Sequence, residues 1–220
     1  MRLPARRAAA MLAGRRVAAG LLPLGLALLW AGYFGPWIPH AAAALSLNAL
    51  DLSEWVTYLP QVRSGALAVG RLNFLAPLSF AIVLSSAWAW QLPRTRALLL
   101  VPLLGFGVLA EPFLLYRNEP ELQSQMWILF ATAGGCVLGA VLRGQRWYWA
   151  GFALLAAGGL AANSWPLLLV RPIAGALYGA LPGLGWGWGS TQLGAVLLVA
   201  GAVLRQRSRA GSAPSSSHGA

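Results

Sequence analysis

The chain has 220 residues, 58% of them hydrophobic and only 10% charged, with a formal net charge of +11. A soluble domain has roughly 25% charged residues, so an ordinary soluble protein is excluded. The apolar runs are continuous rather than alternating, which excludes a membrane β-barrel. The sixteen basic residues are all arginine and flank the apolar runs. They therefore read as topology signals beside anionic lipid headgroups rather than as a nucleic-acid surface. The expected fold is all-α, a polytopic transmembrane helical bundle in the lipid bilayer, with no nucleic acid as partner.

Six spans are predicted in chain order, each long enough to cross a hydrocarbon core of about 30 Å as a helix. They cover about 17–38, 72–90, 97–116, 126–142, 147–170 and 188–204. Residues 1–16 form a basic N-terminal segment with Arg2, Arg6, Arg7, Arg15 and Arg16. The first apolar run exceeds the 7–15 residues of a signal peptide and ends in bulky Trp30, Tyr33, Phe34 and Trp37, so it reads as an uncleaved anchor.

The outer loop, 39–71, holds a short helix at about 51–59. After Asp51, the residues Leu52, Trp55, Val56 and Leu59 share one helical face. Asp51 and Glu54 have the spacing of a capping box, with both acids at the positive end of the helix dipole. The expectation is an amphipathic interfacial helix on the outer surface, with Trp55 and Leu59 in the interface. A functional alternative joins His40 to Asp51 and Glu54 as a metal or proton site, although that spacing matches no zinc motif.

Glu111 lies in the third span, about 21 Å from its start, and Pro112 follows it. An acid beside a broken backbone bond can line a polar cavity or carry a proton. It can equally pair with Arg71, Arg117 or Arg171 near the outer edge. Asn163 and Ser164 precede Trp165-Pro166 at similar depth, and Asn73 opens the second span on that side. Glu111, Asn163, Ser164 and Asn73 are thus the candidate polar pocket. The competing reading is that they bond between helices or to backbone freed by proline. Gly135 and Gly139 form a G-x-x-x-G in the fourth span, a pattern that lets helices approach closely and is read as packing within the chain. In "GLGWGWGS", Gly183–Ser190, glycine alternates with tryptophan at a membrane edge. No G-K-[ST] follows, so it is not a phosphate loop. The tail 205–220, rich in small polar residues, is expected to be disordered.

Arginine distribution sets the orientation. Twelve lie at the N-terminus, in the second and fourth connections and in the tail, against four on the other side, Arg63, Arg71, Arg117 and Arg171. The positive-inside rule puts both termini in the cytoplasm. Trp37, Trp127, Trp165, Trp186 and Trp188 fall near outer boundaries, and Trp88, Trp90, Trp147 and Trp149 near inner ones, as in an aromatic belt.

The segments "GYFGPWIPH" and "LDLSEWVTYLP" resemble those of small uncharacterised multi-span proteins of environmental bacteria. The resemblance covers the first span and outer loop. It implies a bacterial inner-membrane protein and says nothing of activity. No nucleotide, metalloprotease or serine-hydrolase motif is present, and no cofactor is expected. The first expectation for function is a non-enzymatic component or partner subunit of a membrane system, bound to another membrane protein. The alternatives are a permease for a small solute or lipid, and an intramembrane enzyme acting on lipid or isoprenoid.

Overall fold

The computed structural model describes the backbone of residues 3–40, 42, 45–92, 96–115 and 120–210. It describes their side chains apart from 3–12, 15, 96, 97, 111–115 and 120–124. The elements are α1 (Leu3–Phe34), α2 (Ala49–Trp55), a 3-10 turn (Val56–Tyr58), α3 (Pro60–Arg63), α4 (Arg71–Ala89), a second 3-10 turn (Arg96–Leu99), α5 (Leu100–Leu115), α6 (Pro120–Val141), α7 (Tyr148–Tyr178) and α8 (Trp186–Ala210). Among the described residues there is no strand, only an isolated bridge between Ile38 and Leu47.

Among the described residues four helices are long and apolar enough to cross a membrane: Arg16–Phe34, Arg71–Ala89, Tyr148–Tyr178 and Trp186–Ala210. The apolar stretches Leu100–Ala110 and Gln125–Val141 are shorter. Of the four, α4 is the most enclosed, and it packs against α1, α2, α5, α6 and α7. Its buried Phe74, Leu75, Leu78 and Ile82 join Trp37, Leu52, Val56 and Leu167 in one core; Ala81 and Leu84 join Leu22, Phe152 and Leu198 in a second.

Helices α1 and α8 run antiparallel in close contact. A Cβ on Gly25 would stand 2.8 Å from the Gly194 carbonyl oxygen, and one on Gly201 would stand 2.9 Å from Leu22 Cδ2. On α8, Gly187, Gly194 and Gly201 repeat every seven residues, and buried Ser208 continues the row opposite Gly14. Small residues at a heptad spacing keep one face against the partner and let two backbones touch, as helices in lipid do when no hydrophobic force draws them together.

Several expectations change. The basic N-terminal segment is helical from Leu3 and continuous in α1 with the apolar stretch that starts at Arg16. The tail 205–220 is helical to Ala210, because its side chains find partners at the arginine-rich end. Gln206 Nε2 donates to the Arg146 carbonyl at 2.9 Å, and an Arg209 guanidinium N–H to that of Gln145 at 3.3 Å. The rest of that tail lies outside the described residues.

The outer helix starts earlier than expected, and its cap is different. Asn48, not Asp51, is the N-cap; its Oδ1 accepts from Asp51 N at 2.9 Å while Asp51 Oδ2 accepts from Asn48 N at 3.0 Å. Asp51 takes the third helical position, which frees Glu54 for another partner. The apolar face of α2 does not lie outward on an interface. Leu52 and Val56 are fully buried, Leu59 nearly so, and Trp55 is packed against the core beneath. The bundle offers α2 the apolar surface that lipid was expected to supply. Two belt tryptophans are likewise internal. Trp37 is buried with its Nε1 donating to the Gly32 carbonyl at 2.9 Å, and Trp149 is buried under Arg205 and Arg209, whose guanidiniums lie 5.9 Å from its ring centre.

Candidate functional site

A lateral cleft of about 780 Å³ lies between α6 and α7, floored by α4. Its origin is local. Helix α6 lies tightly on α4 because Gly135 and Gly139 leave room for it: a Cβ would stand 2.9 Å from Val83 Cγ2 at the first and 3.3 Å from Ala87 Cβ at the second. The G-x-x-x-G thus packs within the chain. Helix α7 sits on the other flank of α4, with Gly158 and Gly159 against the Phe80 ring. Its first turn is pinned by Tyr148 Oη, which donates to the Ala87 carbonyl at 2.5 Å. The two helices are joined by a tight turn in which Gly144 has a φ of 91°, a left-handed geometry that favours glycine. Both helices therefore seat on α4, with Phe80, Val83 and Ala87 forming the floor between them.

The cleft walls are Ala131, Leu138 and Leu142 on α6 and Ala150, Gly151, Leu154 and Leu155 on α7. Polar groups occur only at its ends. At one end Ser79 Oγ and Thr132 Oγ1 share a 2.6 Å hydrogen bond between α4 and α6. At the other are Gln145, Trp147 and Tyr148. The Arg146 guanidinium lies 5.1 Å from the Trp147 ring centre, and an Arg143 guanidinium N–H donates to the Trp90 carbonyl at 3.1 Å. A smaller pocket of about 250 Å³, lined by Trp88, Gln91, Leu92, Trp149, Arg205 and Arg209, lies on the α8 side of Trp149.

Of the candidate polar pocket, Asn73, Asn163 and Ser164 have described side chains. Neither opening is lined by Asn73, Asn163 or Ser164. Asn73 Oδ1 accepts from Gly70 N at 2.8 Å and caps α4, while Ser164 Oγ donates to the Leu160 carbonyl of its own helix at 3.0 Å. Asn163 is fully buried, and among the described residues neither its Nδ2 nor its Oδ1 has a hydrogen-bond partner. Glu111 belongs to α5, which stays helical through Pro112; its side chain lies outside the described residues, as does Arg117. Of its other expected partners, Arg171 Nε donates to the Pro182 carbonyl at 2.7 Å, and Arg71 grips Glu54.

That grip is two-pronged, at 2.5 Å and 3.1 Å, and ties α2 to the start of α4. His40, Asp51 and Glu54 are consequently engaged apart. His40 Nδ1 accepts from Ala42 N at 3.0 Å and its ring lies 4.7 Å from that of Tyr178; Asp51 is in the cap; Glu54 is in the ion pair. Among the described residues no three His, Cys, Asp or Glu side chains gather as metal ligands.

Sequence reasoning passed over the cleft because its residues are unremarkable one by one. The available signal was the run of small residues at Gly135, Gly139, Ala150 and Gly151 on either side of a short arginine turn. No family model, curated protein or solved structure matches the chain.

Proposed function

We propose that this protein is a non-enzymatic, lipid-binding component of a bacterial plasma membrane, of the permease class, which takes a hydrocarbon chain sideways from the bilayer into the α4–α6–α7 cleft. The observation that carries this reading is the cleft's shape. Between Ala131 and Leu142 the wall rises about 16 Å. Between its polar ends the cleft is walled by apolar side chains and glycine, and its volume of about 780 Å³ lies in the range of ligand pockets, about 300–1,000 Å³.

In this reading α5 and α6 cross the membrane as well, giving six spans. Support comes from the large apolar side chains they turn outward, among them Leu103 and Leu104 on α5 and Phe130 and Val137 on α6. The excess of arginine at one end supports a cytoplasmic location for both termini.

The partner-subunit reading keeps one observation of its own. Trp127 is 76% exposed and Phe130 65% exposed, one turn apart on α6, a combination suited to contact with another membrane protein. Stoichiometric co-purification of a second protein, lost in Trp127→Ala, would favour it.

The test of the lipid reading fills the cleft. Gly151 lines it, and a Cβ there meets nothing within 4 Å. Gly134 on α6 has equal room but lies outside the lining. Native mass spectrometry after detergent exchange should show retained lipid on the wild type and on Gly134→Trp, and its loss from Gly151→Trp. Equal retention by all three would sink the reading.

A further inference from the structure

The cleft is not symmetric from end to end, and its asymmetry matches one kind of lipid. Its depth, about 16 Å along α6, is close to half of a hydrocarbon core of about 30 Å. The end toward the middle of α4 and α6 is bounded by the Ser79–Thr132 hydrogen bond that joins them. The opposite end opens at the α6–α7 turn. Between the two ends the lining is apolar, apart from backbone. An occupant that fills this space has one apolar chain about a leaflet long and a polar head at the turn.

The turn also defines the charge of that head. Trp147 lines the cleft and carries the Arg146 guanidinium on its ring. Arg143 is held at the rim by the Trp90 carbonyl, and Arg209 reaches the carbonyl of Gln145, itself a lining residue. Three guanidiniums therefore converge on one short turn. The chain's five acids are Asp51, Glu54, Glu111, Glu119 and Glu121, and none belongs to the segments that build this rim. A guanidinium presents paired N–H donors that match phosphate oxygens, and clusters of arginine at a membrane edge attract anionic lipid.

We infer that the cleft binds an anionic phospholipid from the leaflet on the arginine-rich side, with an acyl chain along α4, α6 and α7 and its phosphate at Arg143 and Arg146. The inference rests on the lipid-binding reading above and adds the headgroup, the leaflet and the residues that select them. No bond is made or broken.

The test uses the full chain, delipidated in mild detergent and offered equal amounts of phosphatidylglycerol and phosphatidylethanolamine with matched acyl chains. Bound lipid is counted by native mass spectrometry. The wild type should hold the anionic lipid in about tenfold or greater preference. Arg143→Gln/Arg146→Gln should bring the two lipids to within about twofold while still binding lipid, and Arg143→Lys/Arg146→Lys should keep part of the preference. Gly151→Trp should lose both lipids, with Gly134→Trp as the folded control. Equal binding of the two lipids by the wild type, abolished by Gly151→Trp, would overturn the headgroup assignment and leave the chain-binding reading standing. Binding untouched by Gly151→Trp would overturn both. A preference that survives Arg143→Gln/Arg146→Gln, or one displaced by millimolar inorganic phosphate or glycerol phosphate, would overturn the assignment of a lipid phosphate to this rim.

Discussion

Gly32 on α1 faces the backbone of α8 so closely that a Cβ there would stand 2.6 Å from the Gly187 carbonyl oxygen and 2.6 Å from Thr191 N. Both obstacles are backbone, which cannot rotate aside as a side chain can. A methyl group at Gly32 must push the two helices apart along the whole seam. Gly32→Ala is expected to cost about 1–3 kcal/mol, the range for overpacking a close contact. Gly134→Ala, in open space, is expected to be neutral or to gain about 0.5–1 kcal/mol from a better helix former. Thermal unfolding in detergent checks the pair, and equal effects would mean that the seam does not hold the fold.

The tie between Arg71 and Glu54 should govern the outer helix more than the fold. Arg71 is largely enclosed, but Glu54 is about half exposed, so solvent screens the pair. A double-mutant cycle is expected to give about 0.2–1 kcal/mol. Hydrogen exchange of the α2 amides should quicken in Glu54→Gln and leave α7 and α8 unchanged. Asn48→Ala removes the true N-cap and should cost about 1 kcal/mol in the same measurement, more than Glu54→Gln does.

Asn163 offers a test with an unusual sign. Its amide is buried without a hydrogen-bond partner among the described residues, and an unmet polar group in an apolar interior costs about 1–3 kcal/mol. Asn163→Leu keeps nearly the same volume and removes that cost. The expected outcome is a higher unfolding temperature with lipid retention unchanged. A fall in stability or in lipid binding would show that the Asn163 amide holds a ligand of its own.

Orientation is open to thiol labelling. Cys136 is half-buried in α6, where its Sγ donates to Ser86 Oγ at 3.4 Å, so a Cys136→Ser background suits the experiment. Ser64→Cys and Gln145→Cys are exposed at opposite ends of the bundle. A membrane-impermeant maleimide added to intact cells should label Ser64→Cys and spare Gln145→Cys. The reverse pattern would invert the proposed topology.

These predictions draw on features that were unequally visible before folding. The membrane class follows from composition alone, because 58% hydrophobic residues in continuous runs leave helices as the economical way to satisfy the backbone in lipid. Helix ends follow less evenly: α4 lies within one residue of its expected bounds, whereas α1 begins at Leu3 and α7 runs on to Tyr178. The outer cap was displaced by one turn because Asn48 and Asp51 are both good N-caps, and only the packing of Leu52 and Val56 onto the bundle selects the first.

The candidate polar pocket was drawn from Glu111, Asn73, Asn163 and Ser164 because rare polar residues attract notice in an apolar chain. Asn73 and Ser164 turn to their own backbone, a local bond that sequence spacing permits but does not reveal. Their bonds are decided within a turn of helix, whereas the cleft is decided across the chain.

What the amino-acid sequence determined by itself was the bilayer as solvent, the helices, and the gathering of arginine beside particular apolar runs. Those are local consequences of hydropathy and charge. Which helices touch is different, because every apolar face suits lipid and neighbour alike. Only the tertiary structure decided that α1 joins α8 through Gly25, Gly32, Gly187 and Gly194, and that α6 and α7 take opposite flanks of α4 and part above Phe80. In a membrane interior the choice of contact depends on how nearly two surfaces fit, and that fit is a property of three-dimensional shape.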